Sequence, residues 1–203
     1  MIKSKFETEY LSIRLGMIFS KLPLSANTWT LFSLVPALLG FLYLIDEKLI
    51  PALILFIISG MIDAIDGSVA RVTKSVSNLG AFLDGIIDRY VELLLYVGLV
   101  IYLGDATIFS TPVTVWVILL VFGSVMPAFV RAYADHKGVV TEPEDQRRMG
   151  GLLERFERLV LVYAGMLAGY YNPQYLALSV VIVAVVANIT ALQRILFVIS
   201  YER

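Results

Sequence analysis

The chain has 203 residues, 59% hydrophobic and 16% charged, with no cysteine and a formal net charge of −1. Soluble domains average roughly 45–50% apolar and about 25% charged residues, and this chain lies well outside both ranges. The missing cysteines exclude a disulfide scaffold, a thiolate metal site and a cysteine nucleophile, and the near-neutral charge argues against nucleic acid as a partner.

In chain order, residues 1–22 predict an amphipathic helix on the membrane surface. Ile2, Phe6, Tyr10, Ile13, Met17 and Ile18 recur near helical spacing among Lys3, Lys5, Glu7, Glu9, Arg14 and Lys21. No small-residue cleavage site follows an early apolar run, so the segment does not read as a signal peptide, and Pro23 breaks it. Six apolar segments follow, at 28–45, 50–71, 79–103, 112–135, 156–172 and 175–199. Each approaches the roughly 20 residues that a hydrocarbon core requires. The fold class is an all-α integral membrane protein: an interfacial helix, then six transmembrane helices over 28–199, in a single domain spanning 1–203. The polar stretch Ala134 to Gly150 reads as a cytoplasmic loop, a solvated linker over most of its length.

Lysine and arginine set the orientation. They gather in the N-terminal segment, in the second connection (Arg71, Lys74), in the fourth (Lys137, Arg147, Arg148) and at Arg203. The other side carries only Lys48. Six spans then predict a multi-pass cell-membrane protein with both termini on the cytoplasmic side.

Against this background four aspartates stand out: Asp63 and Asp66 in the second span, Asp84 and Asp88 in the third. An ionisable side chain at mid-bilayer costs about 2.5–3.5 kcal/mol on insertion scales, so each is a functional hypothesis by default. The pairs are three and four residues apart, which puts each pair on one helix face. A short connection around Ser75 makes the two helices antiparallel neighbours, so the carboxylates converge near the cytoplasmic end. Four anions in low dielectric repel, and a bound cation removes the conflict. All-oxygen ligation suits Mg²⁺ or Mn²⁺, and four carboxylates suit a pair of ions serving phosphoryl displacement. Gly67, Ala70 and Gly80 either let helices pack closely or make room for a flat ligand. Arg71 reads either as an inside-facing anchor or as a phosphate ligand.

Taken together, Asp63-x2-Asp66-Gly67-x2-Ala70-Arg71-x8-Gly80-x3-Asp84-x3-Asp88 resembles the full signature of the CDP-alcohol phosphotransferase family. The resemblance extends over the whole chain, since that family has an amphipathic N-terminal helix followed by six spans. It implies transfer of a phosphatidyl-type group from a CDP-linked lipid (CDP-diacylglycerol or CDP-archaeol) to a small hydroxyl acceptor, with release of CMP, in phospholipid biosynthesis. It also implies that Asp63, Asp66 and Asp84 bind metal, that Asp88 both contacts metal and acts as general base, and that Gly67, Ala70, Arg71 and Gly80 line the cytidine and diphosphate site together with Asp66. Ser77 occupies a position where the family often places a hydroxyl near the nucleotide. The turn Ser25-Ala26-Asn27-Thr28 resembles the family's entry to the first span, which leaves Asn27 and Thr28 open to either a ligand role or a plain helix cap. A homodimer is expected from the family.

The acceptor is read from arginines. Arg194 lies inside the sixth span, Arg131 near the end of the fourth, and Arg155 opens the fifth with Arg158 three residues on. An arginine inside an apolar helix needs a partner. Arg131, Arg155 and Arg194 together predict a pocket for a phosphorylated acceptor. Gly151 to Arg158 and Phe82 to Tyr90 are similar to the branch of the family that uses inositol phosphate; glycerol phosphate is the nearest alternative. Glu154 and Arg158, four apart, otherwise read as a surface pair. Two rivals remain: transfer to a neutral acceptor such as serine or glycerol, and a cation carrier that uses the four acids as an ion path.

Overall fold

The computed structural model describes residues 13–201. The predicted interfacial helix is therefore described only in part; Ile2, Phe6 and Tyr10 lie outside the described residues. Residues 13–19 (α1) are helical, and Ile13, Met17 and Ile18 are exposed. A Cβ on Gly16 would collide with the Ser68 carbonyl and the Val72 side chain, so α1 lies directly on the C-terminal end of the helix that carries those residues.

The six apolar segments are all helices: α2 (Ala26–Ile45), α3 (Leu49–Val72), α4 (Asn78–Leu103), α5 (Val113–His136), α7 (Arg155–Gly169) and α8 (Pro173–Tyr201). Among the described residues, α2, α3, α5 and α8 are long and apolar enough to cross a membrane. The 26-residue α4 has the length, but Asp84, Asp88, Arg89 and Glu92 interrupt its apolar run. The 15-residue α7 rises only about 22 Å.

The chain divides into two compact units after Gly98. In the first, α2 packs on α3 through Ala37, Leu44, Ala52 and Phe56, all fully buried. A Cβ on Gly40 would stand 3.0 Å from the Phe56 ring, so the small residue sets how closely these helices approach. Leu31, Phe32, Val35, Leu38, Leu39 and Leu42 are exposed on α2, the apolar surface a lipid-facing helix requires. Both connections leave their helix through the same hydrogen-bond pattern. After α2, Lys48 N–H donates to Tyr43 O (2.8 Å) and Glu47 N–H to Leu44 O (3.1 Å). After α3, Ser75 N–H donates to Ala70 O (2.9 Å) and Lys74 N–H to Arg71 O (3.4 Å). The left-handed residues are Glu47 (φ 59°) and Lys74 (φ 55°), positions where helices ordinarily place glycine.

In the second unit, Val162, Met166, Leu176, Ala177, Val180 and Ala184 are fully buried. Asn188 clasps α5 to α8: its side-chain amide donates to Leu119 O and to Ala184 O, each at 2.8 Å. Two short strands, β1 (Thr107–Ile108) and β2 (Thr111–Pro112), pair antiparallel. Phe109 (φ 51°) and Ser110 (φ 59°) join them with the two left-handed residues of a tight hairpin turn.

Most of the stretch from Ala134 to Gly150 is exposed, as a solvated linker would be, but part of it is folded. It contains α6 (Pro143–Arg148) and packs the fully buried Val140 and Met149 with Ala134 against Val130, Phe197 and Val198. Leu153 N–H donates to Thr190 Oγ1 and Leu152 N–H to Gln193 Oε1, both at 3.0 Å, and Tyr201 OH donates to Asp145 Oδ2 at 2.8 Å. Val140 and Met149 outweigh the balanced charges around them, because burying each contributes roughly 1.5–3 kcal/mol.

Candidate active site

The α3–α4 hairpin gathers three of the four aspartates whose spacing put them on facing helices. A carboxylate oxygen of each of Asp63, Asp66 and Asp84 lies within 4.8 Å of the other two. Asp66 is buried, and Asp63 and Asp84 are half-buried. Asp88, one turn further along α4, is not one of this trio; it is buried, and its Oδ2 stands 3.5 Å from Arg89 Nη1. The Thr30 hydroxyl of α2 donates to Asp66 Oδ2. Ser33 Oγ donates to Thr30 O and Ser59 Oγ to Ser33 O, each at 2.7 Å. A ladder of buried hydroxyls thus fixes α2 against α3 and orients one carboxylate of the trio.

Beside the trio opens a cavity of about 370 Å³, lined by Ala26, Asn27, Thr30, Asp66, Gly67, Ala70, Arg71, Ser75, Val76, Ser77, Gly80, Ala81 and Asp84. That volume is within the usual range for small-molecule sites. Glycine keeps one wall close, at Gly80, whereas Gly67 has ordinary room beside it. A Cβ on Gly80 would come within 3.1 Å of Asn27 Oδ1 and 3.2 Å of Ser77 Oγ; one on Gly67 would meet the Arg71 guanidinium at 3.6 Å. Ser77 Oγ accepts from Gly80 N–H at 3.0 Å, capping α4. Arg71 Nη2 lies 3.5 Å from Ser68 Oγ, which holds the guanidinium near Gly67.

Seven residues expected at the nucleotide end therefore converge here: Asn27, Asp66, Gly67, Ala70, Arg71, Ser77 and Gly80. Thr28 does not line the cavity. Its N–H donates to Ser25 Oγ at 3.2 Å, and its hydroxyl shares a 2.7 Å hydrogen bond with the same atom. It completes the cap of α2, because the first N–H groups of a helix have no partner within the helix. Thr30 was missed by the sequence reading; its position three residues beyond Asn27 on the same helix face was the available signal.

The arginines belong to the second unit, and they are engaged. Arg194, with a side chain 4% exposed, donates from Nη2 to both carboxylate oxygens of Glu154 (2.7 and 2.8 Å) and from Nη1 to Pro127 O (2.8 Å). Arg131 donates from Nη2 to Met149 O at 3.3 Å and stands close enough to feel the charges of both Arg194 and Glu154. Arg155, the first residue of α7, follows Glu154 directly. Glu154, read from the sequence as a surface partner for Arg158, grips a residue 40 positions away instead.

Three carboxylates at this separation form an all-oxygen donor set that fits a hard divalent cation. Fold and site together define an integral membrane enzyme with a carboxylate centre beside a ligand cavity. Comparison with known proteins narrows the class. The CDP-alcohol phosphatidyltransferase model matches residues 24–199. An archaetidylinositol phosphate synthase of Methanothermobacter thermautotrophicus is 31% identical over 152 residues, 74% of this chain and 71% of the relative. One of Aeropyrum pernix is 31% identical over 180 residues, 88% of this chain and 85% of the relative. Among solved structures, the phosphatidylinositol phosphate synthase of Mycobacterium tuberculosis with CDP-DAG bound superposes with a TM-score of 0.79 at 22% identity, over 93% of this chain and 94% of that one. The same enzyme in complex with manganese and citrate gives 0.78 at 21% identity. At that identity the likeness establishes a shared fold. The chain belongs to the CDP-alcohol phosphatidyltransferase family and is a membrane enzyme with that family's transferase activity.

Proposed function

We propose that this enzyme transfers a phosphatidyl-type group from a CDP-linked lipid to inositol phosphate in phospholipid biosynthesis, releasing CMP. The observation that carries the reading is the carboxylate trio opening onto a cavity lined by Gly67, Ala70, Arg71, Ser77 and Gly80. The acceptor is supported by relatives named archaetidylinositol phosphate synthase and phosphatidylinositol phosphate synthase and by the buried Arg194 with the half-buried Arg131 and Arg155 of the second unit.

In this reading Asp63, Asp66, Asp84 and Asp88 would hold Mg²⁺ or Mn²⁺, most simply as a pair. Bound there, such ions would supply positive charge to offset that of the diphosphate and of the departing CMP. The chain's own residues do the rest. Asn27, Ser77 and Arg71 orient the CDP head, and Gly67 and Gly80 leave it room. The Asp88 carboxylate takes the proton from the acceptor hydroxyl as its oxygen bonds to the β-phosphorus and the bond to CMP breaks. Arg131, Arg155 and Arg194 receive the acceptor's phosphate. The lipid tails stay in the bilayer while the head reaches the site.

We further infer one membrane domain with six spans, both termini and the site facing the cytoplasm, working as a homodimer in the cell membrane. The assay offers the purified chain CDP-diacylglycerol or CDP-archaeol with Mg²⁺ or Mn²⁺, and inositol phosphate, glycerol phosphate, inositol, serine and glycerol in turn. CMP release is expected to be fastest with inositol phosphate. Faster turnover of serine, glycerol or free inositol would sink the acceptor assignment.

A further inference from the structure

The grip of Glu154 on Arg194 has a feature that a purely structural ion pair does not need. Both Glu154 oxygens are bound to Nη2 of Arg194. Meanwhile the buried Nε of Arg194 and the buried Nε of Arg131 have no hydrogen-bond partner among the described residues. Buried guanidinium donors are ordinarily matched. The carboxylate supplies two oxygens to one nitrogen and leaves the cluster underfilled. A phosphomonoester dianion carries one more terminal oxygen and more charge, which suits the two unmatched donors.

Glu154 is also built to leave. Its side chain is 49% exposed, whereas that of Arg194 is 4% exposed. The backbone just before it is pinned to α8 through Leu152 N–H and Leu153 N–H, so release requires only a side-chain rotation. A second station is at hand. Glu154 is the N-cap residue of α7, and its side chain makes no cap hydrogen bond there. The free N–H groups and positive end of that helix accommodate a displaced carboxylate.

We propose that Glu154 is a displaceable stand-in for the acceptor's phosphate. It holds Arg194 while the acceptor is absent and yields it to a phosphomonoester. The exchange makes the arginine cluster selective: a neutral acceptor offers only hydroxyls, which do not displace a two-pronged charged pair. The inference rests on the reading that Arg131, Arg155 and Arg194 receive the acceptor phosphate.

The test uses the full chain in lipid–detergent micelles with CDP-diacylglycerol and Mg²⁺, following CMP release while inositol phosphate is titrated. In Glu154→Gln the competing charge is gone. KM for inositol phosphate should fall about fivefold or more, with kcat changed much less, and inhibition by inorganic phosphate should tighten in parallel. Inorganic phosphate should also raise the melting temperature of Glu154→Gln more than that of the wild type, because it replaces the lost counter-charge. If the glutamine variant does not fold, Glu154→Asp, which withdraws the carboxylate by one methylene, should move KM the same way by less. An unchanged or raised KM in a folded variant, with phosphate inhibition unaltered, would overturn the stand-in while leaving the acceptor reading intact. A wild type that turns over no phosphorylated acceptor would overturn both.

Discussion

The two units handle charge in opposite ways. In the α2–α4 unit, three like charges are drawn to within 4.8 Å of one another, beside an open cavity. In the α5–α8 unit, opposite charges meet: Arg194 with Glu154, Arg148 with Asp145. Gathering like charges in a low-dielectric interior opposes folding, and persists where a ligand of opposite sign supplies the balance. Pairing opposite charges balances locally. The first unit gathers a donor set that suits a cation, whereas the second balances its charge with its own side chains.

The largest expected effect separates stability from activity in the first unit. Asp84→Asn should reduce CMP release about 10³-fold, some 4 kcal/mol of barrier. In EDTA the same variant should melt higher than the wild type, because a repulsion has been removed. The wild type should be stabilised by Mg²⁺ or Mn²⁺, the variant much less. An Asp84→Asn chain that melts lower in EDTA would break the comparison. Next comes the cavity. Gly80→Ala pushes a methyl toward Asn27 and Ser77; KM for the CDP-lipid should rise about tenfold, or 1.4 kcal/mol, with little change in the KM for inositol phosphate. The smallest effect tests self-sufficiency in the second unit. Asn188→Ala removes the α5–α8 bond to Leu119 O together with the bond to Ala184 O within α8 and should lower stability by about 0.6–1.7 kcal/mol, read as thermal melting in detergent, without altering either KM.

The same contrast explains what could be read from the chain. The helices were legible because a bilayer demands long apolar runs, and the six predicted segments match the observed helices within a few residues at each end. The acidic centre was legible because one hairpin carries all of it at helical spacings, so local geometry decides the outcome. Thr30 and Glu154 were not: their partners Asp66 and Arg194 are 36 and 40 residues away, and helical periodicity carries no information over that range. The small cluster inside the polar stretch was not legible, because Val140 and Met149 are isolated in sequence and meet Ala134 and Phe197 only in the fold. The hairpin at 107–112 escaped notice because Phe109 and Ser110 take conformations usually given to glycine or asparagine.

The hydroxyl ladder between α2 and α3 has an electrical consequence. A proton-conducting wire needs groups that donate and accept in turn. Here the Thr30 proton is directed at Asp66, while those of Ser33 and Ser59 end on backbone carbonyls, which do not pass a proton onward. The ladder therefore works as an insulator. A buried carboxylate is fixed in place by hydroxyls whose protons end on it or on backbone carbonyls, so these side chains form no continuous donor–acceptor relay along the two helices.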